Sequence, residues 1–153
     1  MIKQLVPSDF CLKCLGCCRF SQEDSIWLPT LLDQEKEFAG QDQKIKVVRG
    51  EGGVACFYLD SADNKCRIYS RRPLECQLYP FLVNRKDNEV FLAVDLNCPF
   101  VEKYSSSKEF KEHLVYLRDF FNQPSQLEIL SSNHQILQHY RGAENFFQLK
   151  IKT

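Results

Sequence analysis

Eight cysteines in 153 residues, four of them in the run Cys11-Leu-Lys-Cys14-Leu-Gly-Cys17-Cys18, constrain this chain more than any other feature. Two residues between cysteines let both sulfurs reach one metal ion, while the amides between them donate to the thiolates. That spacing occurs twice in succession, and a fourth cysteine follows at once. Cys56, Cys66, Cys76 and Cys98 come later in the chain. Zinc sites bring together pairs from two places in the chain. Iron–sulfur clusters use three close cysteines and a fourth from elsewhere, sometimes followed by proline. Cys11, Cys14 and Cys17 with the remote Cys98-Pro99 loosely follow the second pattern, so zinc and iron both stay open.

The other readings of eight cysteines are weaker. Disulfides belong to exported chains, and the N-terminal Met-Ile-Lys-Gln-Leu-Val-Pro-Ser-Asp lacks the long apolar stretch of a signal peptide. Nothing approaches the roughly 18 consecutive apolar residues of a membrane span. The expectation is a soluble cytoplasmic protein with reduced thiols and no membrane partner. With 44% hydrophobic residues, twelve Phe and six Tyr, the chain can build a core without covalent staples. Scattered core thiols have no reason to fall at two-residue intervals. The 20 basic and 20 acidic residues cancel, leaving no global field to hold nucleic acid.

Neighbouring side chains diverge in most backbone conformations. Cys17 and Cys18 are therefore expected to serve two centres, or one to ligate while the other packs or reacts. Eight sulfurs divide into two sets of four. A divalent ion with four thiolates carries a net charge of about −2, which needs neutralising. Lys13, Arg19, Lys65, Arg67, Arg71 and Arg72 lie near cysteines in sequence and are candidates to donate to sulfur. Asp60, Asp63 and Glu75 could assist an open metal site, although acids in loops and first turns need no such role. His113, His134 and His139 fall in the cysteine-free tail and read as ordinary histidines rather than ligands.

The coarse pattern is short elements. The cysteine run, with Gly16 inside it, reads as an irregular knuckle. Ser25–Leu28 reads as a strand and Pro29–Ala39 as a helix ended by Gly40. Strands are expected at Lys44–Val48 and Val54–Leu59, flanking the turn Arg49–Gly53, with Cys66–Tyr69 completing a hairpin. A short helix starting at Pro73 places Cys76 in its first turn, where the dipole favours a thiolate. Phe81–Arg85 and Glu89–Asp95 form a hairpin. Beyond Phe100, Ser105/Ser106 cap a helix reaching Phe121, with Phe110, Leu114, Leu117 and Phe121 on one stripe. Pro124 starts another helix, interrupted near Ser131–Asn133, and Phe146–Lys152 is a candidate closing strand.

From Cys11 to about Phe100 these residues resemble the CxxCxxCC cysteine-cluster family, the YkgJ-like zinc- or iron-chelating domain. The resemblance rests on the opening run, Cys56, Cys66-Arg-Ile-Tyr69-Ser-Arg-Arg72-Pro73-Leu-Glu-Cys76, Tyr79-Pro80-Phe81 and Asp95-Leu-Asn-Cys98-Pro99. All eight cysteine positions of the pattern are filled. Gln77 stands where members often have arginine, and Phe100 where glycine commonly follows Cys-Pro. The resemblance implies chelation of zinc, iron or an iron–sulfur cluster by Cys11, Cys14, Cys17, Cys18, Cys56, Cys66, Cys76 and Cys98. It does not imply a reaction. A related cluster in the flagellin lysine methylase makes an iron–sulfur enzyme, for example in protein lysine N-methylation, or an electron-transfer protein the alternative. Whether the chain is an enzyme stays open.

The expected fold is α+β, a small metal-stabilised domain of short strands, hairpins and helices with a helical C-terminal extension. Residues 1–100 form the cysteine-cluster domain in this reading, and 101–153 the extension packed on it.

Overall fold

The computed structural model describes residues 1–14 and 16–151. Helices and antiparallel sheets alternate along the chain, which makes it α+β as expected. Its contacts divide it into two compact units, Met1–Gln77 and Leu78–Thr153.

The first unit begins with helix α1 (Ser8–Lys13) and contains a three-stranded antiparallel sheet, order β1-β3-β2. Its strands are β1 (Arg19–Phe20), β2 (Val47–Gly50) and β3 (Gly53–Cys56). Gly53 makes the sheet possible. Its φ of +142° and the approach of β1 leave no room for a side chain, since a Cβ there would lie 2.4 Å from the Phe20 carbonyl oxygen. A two-stranded ladder follows, β4 (Leu59–Asp60) with β5 (Lys65–Cys66), and then helix α2 (Leu74–Leu78). Leu28, Leu31, Phe38, Ile45, Cys56 and Ile68 form the core, with Cys18, Cys66 and Cys76 packed against it.

Three expectations for this unit change. Ser25–Leu28 is a turn, closed by the Leu28 N–H on the Ser25 carbonyl at 3.1 Å, not a strand. Pro29–Ala39 is not an α-helix. Its first residues are extended because their main-chain groups pair with residues 43–45: Leu31 N donates to Gln43 O, and Ile45 N to Pro29 O, both at 2.8 Å. Only Asp33–Phe38 coils, as a 3-10 helix, with Glu35 reaching back to the Leu32 amide at 2.9 Å. The strand expected over Val54–Leu59 breaks after Cys56 and resumes only at Leu59, in β4.

The second unit is organised by a three-stranded antiparallel sheet, β6 (Phe81–Lys86), β7 (Glu89–Asp95) and β8 (Ala143–Leu149), with β7 central. The β6–β7 hairpin follows the sequence expectation, and Asp87 takes the positive φ its turn requires. The closing strand starts earlier than the sequence suggests, at Ala143, and Lys152 lies outside the described residues. Cys98 caps a short helix α3 (Pro99–Tyr104), which has proline in its first turn. Helix α4 (Lys108–Phe121) is capped by Ser107, whose hydroxyl accepts the Phe110 amide at 3.2 Å. Its stripe of Phe110, Leu114, Leu117 and Phe121 is fully buried, as the 3.6-residue period requires. Helix α5 (Pro124–Ser132) ends at Asn133, where the sequence suggested an interruption.

Asn84, buried on β6, is the polar pin of this unit. Its Oδ1 accepts the Tyr140 amide and its Nδ2 donates to Asn145 Oδ1, both at 2.8 Å. Asn84→Ala removes both bonds, and losing the one to the buried Tyr140 amide costs about 1–3 kcal/mol. Urea denaturation of the variant is therefore expected to show a midpoint well below that of the wild type.

Candidate metal centre

The first half of the cysteine run is helical, not an irregular knuckle. Cys11 lies exposed on α1, and Cys14 is the residue at which α1 stops. The chain then passes Cys14 closely, since a Cβ on Gly16 would sit 3.4 Å from its sulfur. Gly16 to Arg19 is a tight turn closed by the Arg19 N–H on the Gly16 carbonyl at 3.0 Å, with Cys17 and Cys18 at its corner.

That turn reverses the expectation that adjacent cysteines diverge. Folding the backbone back on itself brings the two sulfurs into hydrogen-bond contact. The Cys18 S–H donates to Cys17, which holds the Cys17 thiol down at about 7 against the opposing effect of burial. The charges of Arg72 and Arg19 act in the same direction. Cys18 is pushed far up, first by that same bond and then by burial. The pair is poised to share one proton.

The sheet carries Cys18 to Cys56. Their strands pair so that the Cys56 N–H donates to the Cys18 carbonyl at 2.9 Å. The Cys56 sulfur then accepts the main-chain N–H groups of Tyr58 and Leu59. Both amides lie beyond the end of β3, where the expected strand breaks, and Leu59 already opens β4. Burial nevertheless drives the neutral Cys56 thiol up. Beyond the break, β4 pairs with β5 and places Cys66 opposite Leu59.

Cys76 arrives on α2, docked by two carboxylates. Glu35 Oε1 accepts the Leu74 amide at 2.8 Å, and Glu75 Oε2 accepts the Thr30 amide at 2.6 Å. The sequence expected a helix N-terminus to favour the Cys76 thiolate. In this five-residue helix burial wins, and the thiol is pushed well up, with Cys56, Glu75, Cys66 and Cys17 adding to the effect. Cys17, Cys18, Cys56, Cys66 and Cys76 thus lie within one another's electrostatic reach. Among the described residues, no three or more Cys, His, Asp or Glu side chains are placed so that they could hold an ion together. The sulfurs are neighbours in a field, not a finished polyhedron.

The surroundings suit an anionic, sulfur-rich centre. Arg72 stacks on Tyr69 at 3.8 Å and donates from Nε to the Tyr69 carbonyl at 3.1 Å. Its Nη2 is buried with no hydrogen-bond acceptor among the described residues. A buried cationic N–H without an acceptor is costly, and thiolates on a metal are acceptors of the required charge. The two amides on Cys56 serve a thiolate in the same way. The donor set therefore fits a thiophilic ion, zinc or iron.

Of the six basic residues singled out in the sequence, Arg19, Arg67 and Arg72 act on cysteine sulfurs. Lys65 instead pairs with Asp63 at 2.7 Å and Arg71 with Glu37 at 3.8 Å, both on the surface. The acids are structural: Asp60 and Asp63 accept the amides of Ala62 and Lys65 within their own loop. The histidines have other contacts or lie exposed. His113 stacks between Phe81 and Tyr116, His134 is exposed, and His139 Nδ1 bonds the Arg85 carbonyl at 3.0 Å. Cys98 is buried in the second unit at the start of α3.

Sequence reasoning missed Asn64. It sits at φ +59° in the β4–β5 loop and donates from Nδ2 to the carbonyls of Leu12 at 2.8 Å, Cys14 at 3.2 Å and Cys11 at 3.4 Å. Its Oδ1 accepts from Arg19 Nη1 at 2.8 Å. The available signal was the dipeptide Asp63-Asn64 ahead of Cys66, since asparagine is among the few residues that take a left-handed turn readily.

Comparison with known proteins agrees with this chemistry. A segment of 46 residues is 39% identical to an uncharacterized protein of Methanocaldococcus jannaschii, MJ0661, and covers 30% of this chain. The chain spans only 25% of that relative's length. No solved structure matches. A family model does match, over residues 10–106, which include all eight cysteines. The chain therefore belongs to the CxxCxxCC family, described as "Putative zinc- or iron-chelating domain".

Proposed function

We propose that the chain chelates zinc or iron through its eight cysteines, around the sulfurs of Cys17, Cys18, Cys56, Cys66 and Cys76. Cys11, Cys14 and Cys98 complete the ligand complement in this reading. The observation that carries it is the mutual proximity of Cys17, Cys18, Cys56, Cys66 and Cys76, with two main-chain amides on the Cys56 sulfur. Main-chain amides on a sulfur favour its thiolate. Bound metal supplies the positive charge that lets several thiols of this cluster ionise together. Arg72 and Arg19 neutralise what charge remains.

Five neighbouring sulfurs exceed the four of a tetrahedral ion. That surplus favours two ions, or a polynuclear iron–sulfur cluster, over a single zinc. Cys11 is also exposed, and Cys17 is exposed as a residue although its sulfur is desolvated, so the edge of the cluster reaches solvent. Structural zinc sites are closed. This exposure supports the second reading, an iron–sulfur centre that passes electrons or serves an enzyme, for example in protein lysine N-methylation. Free thiols of this number suit the reducing cytoplasm. The balanced charge favours a metal over nucleic acid as the chain's partner.

Anaerobic purification followed by elemental analysis and a visible spectrum tests the proposal. Stoichiometric zinc in a colourless preparation supports chelation and removes the iron–sulfur reading. A brown protein with iron and acid-labile sulfide supports the cluster. A preparation that holds neither metal, even after anaerobic reconstitution, sinks both.

A further inference from the structure

We propose that Asn64 is the positioning residue that latches the Cys11/Cys14 arm to the rest of the metal centre. The inference deepens the proposed chelation and rests on it. It starts from the end of α1. The last carbonyls of any helix lack internal partners. This six-residue helix is too short to be stable alone. α1 buries none of its residues, so contacts made at its end help fix the direction of the arm carrying Cys11 and Cys14.

One such tether is the side chain of Asn64. Asn64 shares its two N–H bonds among the carbonyls of Cys11, Leu12 and Cys14, bracketing both cysteines of the arm. Its carbonyl oxygen takes a guanidinium N–H of Arg19, the residue that closes the Cys17/Cys18 turn. Asn64 itself stands two residues before Cys66, held in the left-handed conformation by the β4–β5 loop. One amide group therefore joins three parts of the cysteine constellation: the arm, the turn and the hairpin. Aspartate has nearly the same shape but no N–H donors, and would set a negative oxygen against three carbonyl oxygens. Glycine keeps the left-handed backbone and removes the latch altogether.

The test uses the full chain loaded anaerobically with the metal found in the wild type. Release of that metal to a colorimetric chelator is timed, and hydrogen exchange of residues 8–14 is followed by mass spectrometry. Asn64→Asp is expected to release metal about 10–100-fold faster, the range seen when outer contacts of metal ligands are lost. Exchange should rise in residues 8–14 but not in β3 or α2. Asn64→Gly should behave likewise if the aspartate variant fails to fold. Normal release from either folded variant, or exchange that rises equally across the whole first unit, overturns the latch and leaves chelation standing. A wild type that takes up no metal overturns the chelation itself, and the latch with it.

Discussion

Stripping the metal with a strong chelator in the presence of reductant is expected to abolish the cooperative unfolding of the first unit. The hydrophobic core there is small, and three cysteines pack against its flank. Burial already pushes Cys56 and Cys76 toward the neutral thiol. Arg72 Nη2 also faces no acceptor among the described residues. Bound metal reverses both penalties at once. In small zinc-dependent folds the metal contributes about 10–16 kcal/mol at neutral pH, comparable to the whole stability of a domain. The second unit has its own buried stripe and sheet, and should keep its transition. Circular dichroism and hydrogen exchange, with and without chelator, distinguish the two. An unchanged profile across Met1–Gln77 would mean that the cysteine cluster contributes nothing to folding.

Cys56→Ser is expected to have the largest effect of any single cysteine substitution. Its sulfur is buried at the end of a strand, accepts two amides and neighbours Cys18, Cys66 and Cys76. A serine hydroxyl is a far poorer ligand for zinc or iron than a thiolate. It also leaves a smaller, more weakly accepting atom before the Tyr58 and Leu59 amides. Metal content after anaerobic purification should fall to background, and the yield of folded protein should fall with it. His113→Gln and His139→Ala should retain full metal content, since neither ring is offered as a ligand. If Cys56→Ser keeps its metal while Cys11→Ser loses it, the centre is built on the arm rather than on the sheet.

What the sequence showed, and what it hid, follows from the range of the interactions involved. The α4 stripe was legible because helical periodicity is local and its partners need only be apolar. The β6–β7 hairpin was legible for a similar reason, because a short polar turn specifies it. The helix expected over Pro29–Ala39 failed because its main-chain groups are claimed by residues 43–45, beyond the reach of any local pattern. The break after Cys56 was hidden because β-propensity reports residue type and not the long-range pairing that takes Leu59 to Cys66. The identity of the eight cysteines was plain. That Cys17 and Cys18 converge depends on a turn whose closing bond no spacing rule reveals.

The order in which sulfurs join the cluster has a consequence for how the chain is made. The arm and turn emerge from the ribosome first, but Cys56, Cys66 and Cys76 follow only after most of the first unit has been synthesised. Until α2 emerges, the exposed Cys11 and Cys17 have no finished nest to enter. A nascent chain in that interval is open to oxidation or capture by the wrong ion, and metal acquired early would be held by an incomplete set. Under the proposed chelation, correct loading is thus a late event of biogenesis, timed by the arrival of Cys76 and then Cys98 rather than by the cysteine-rich run.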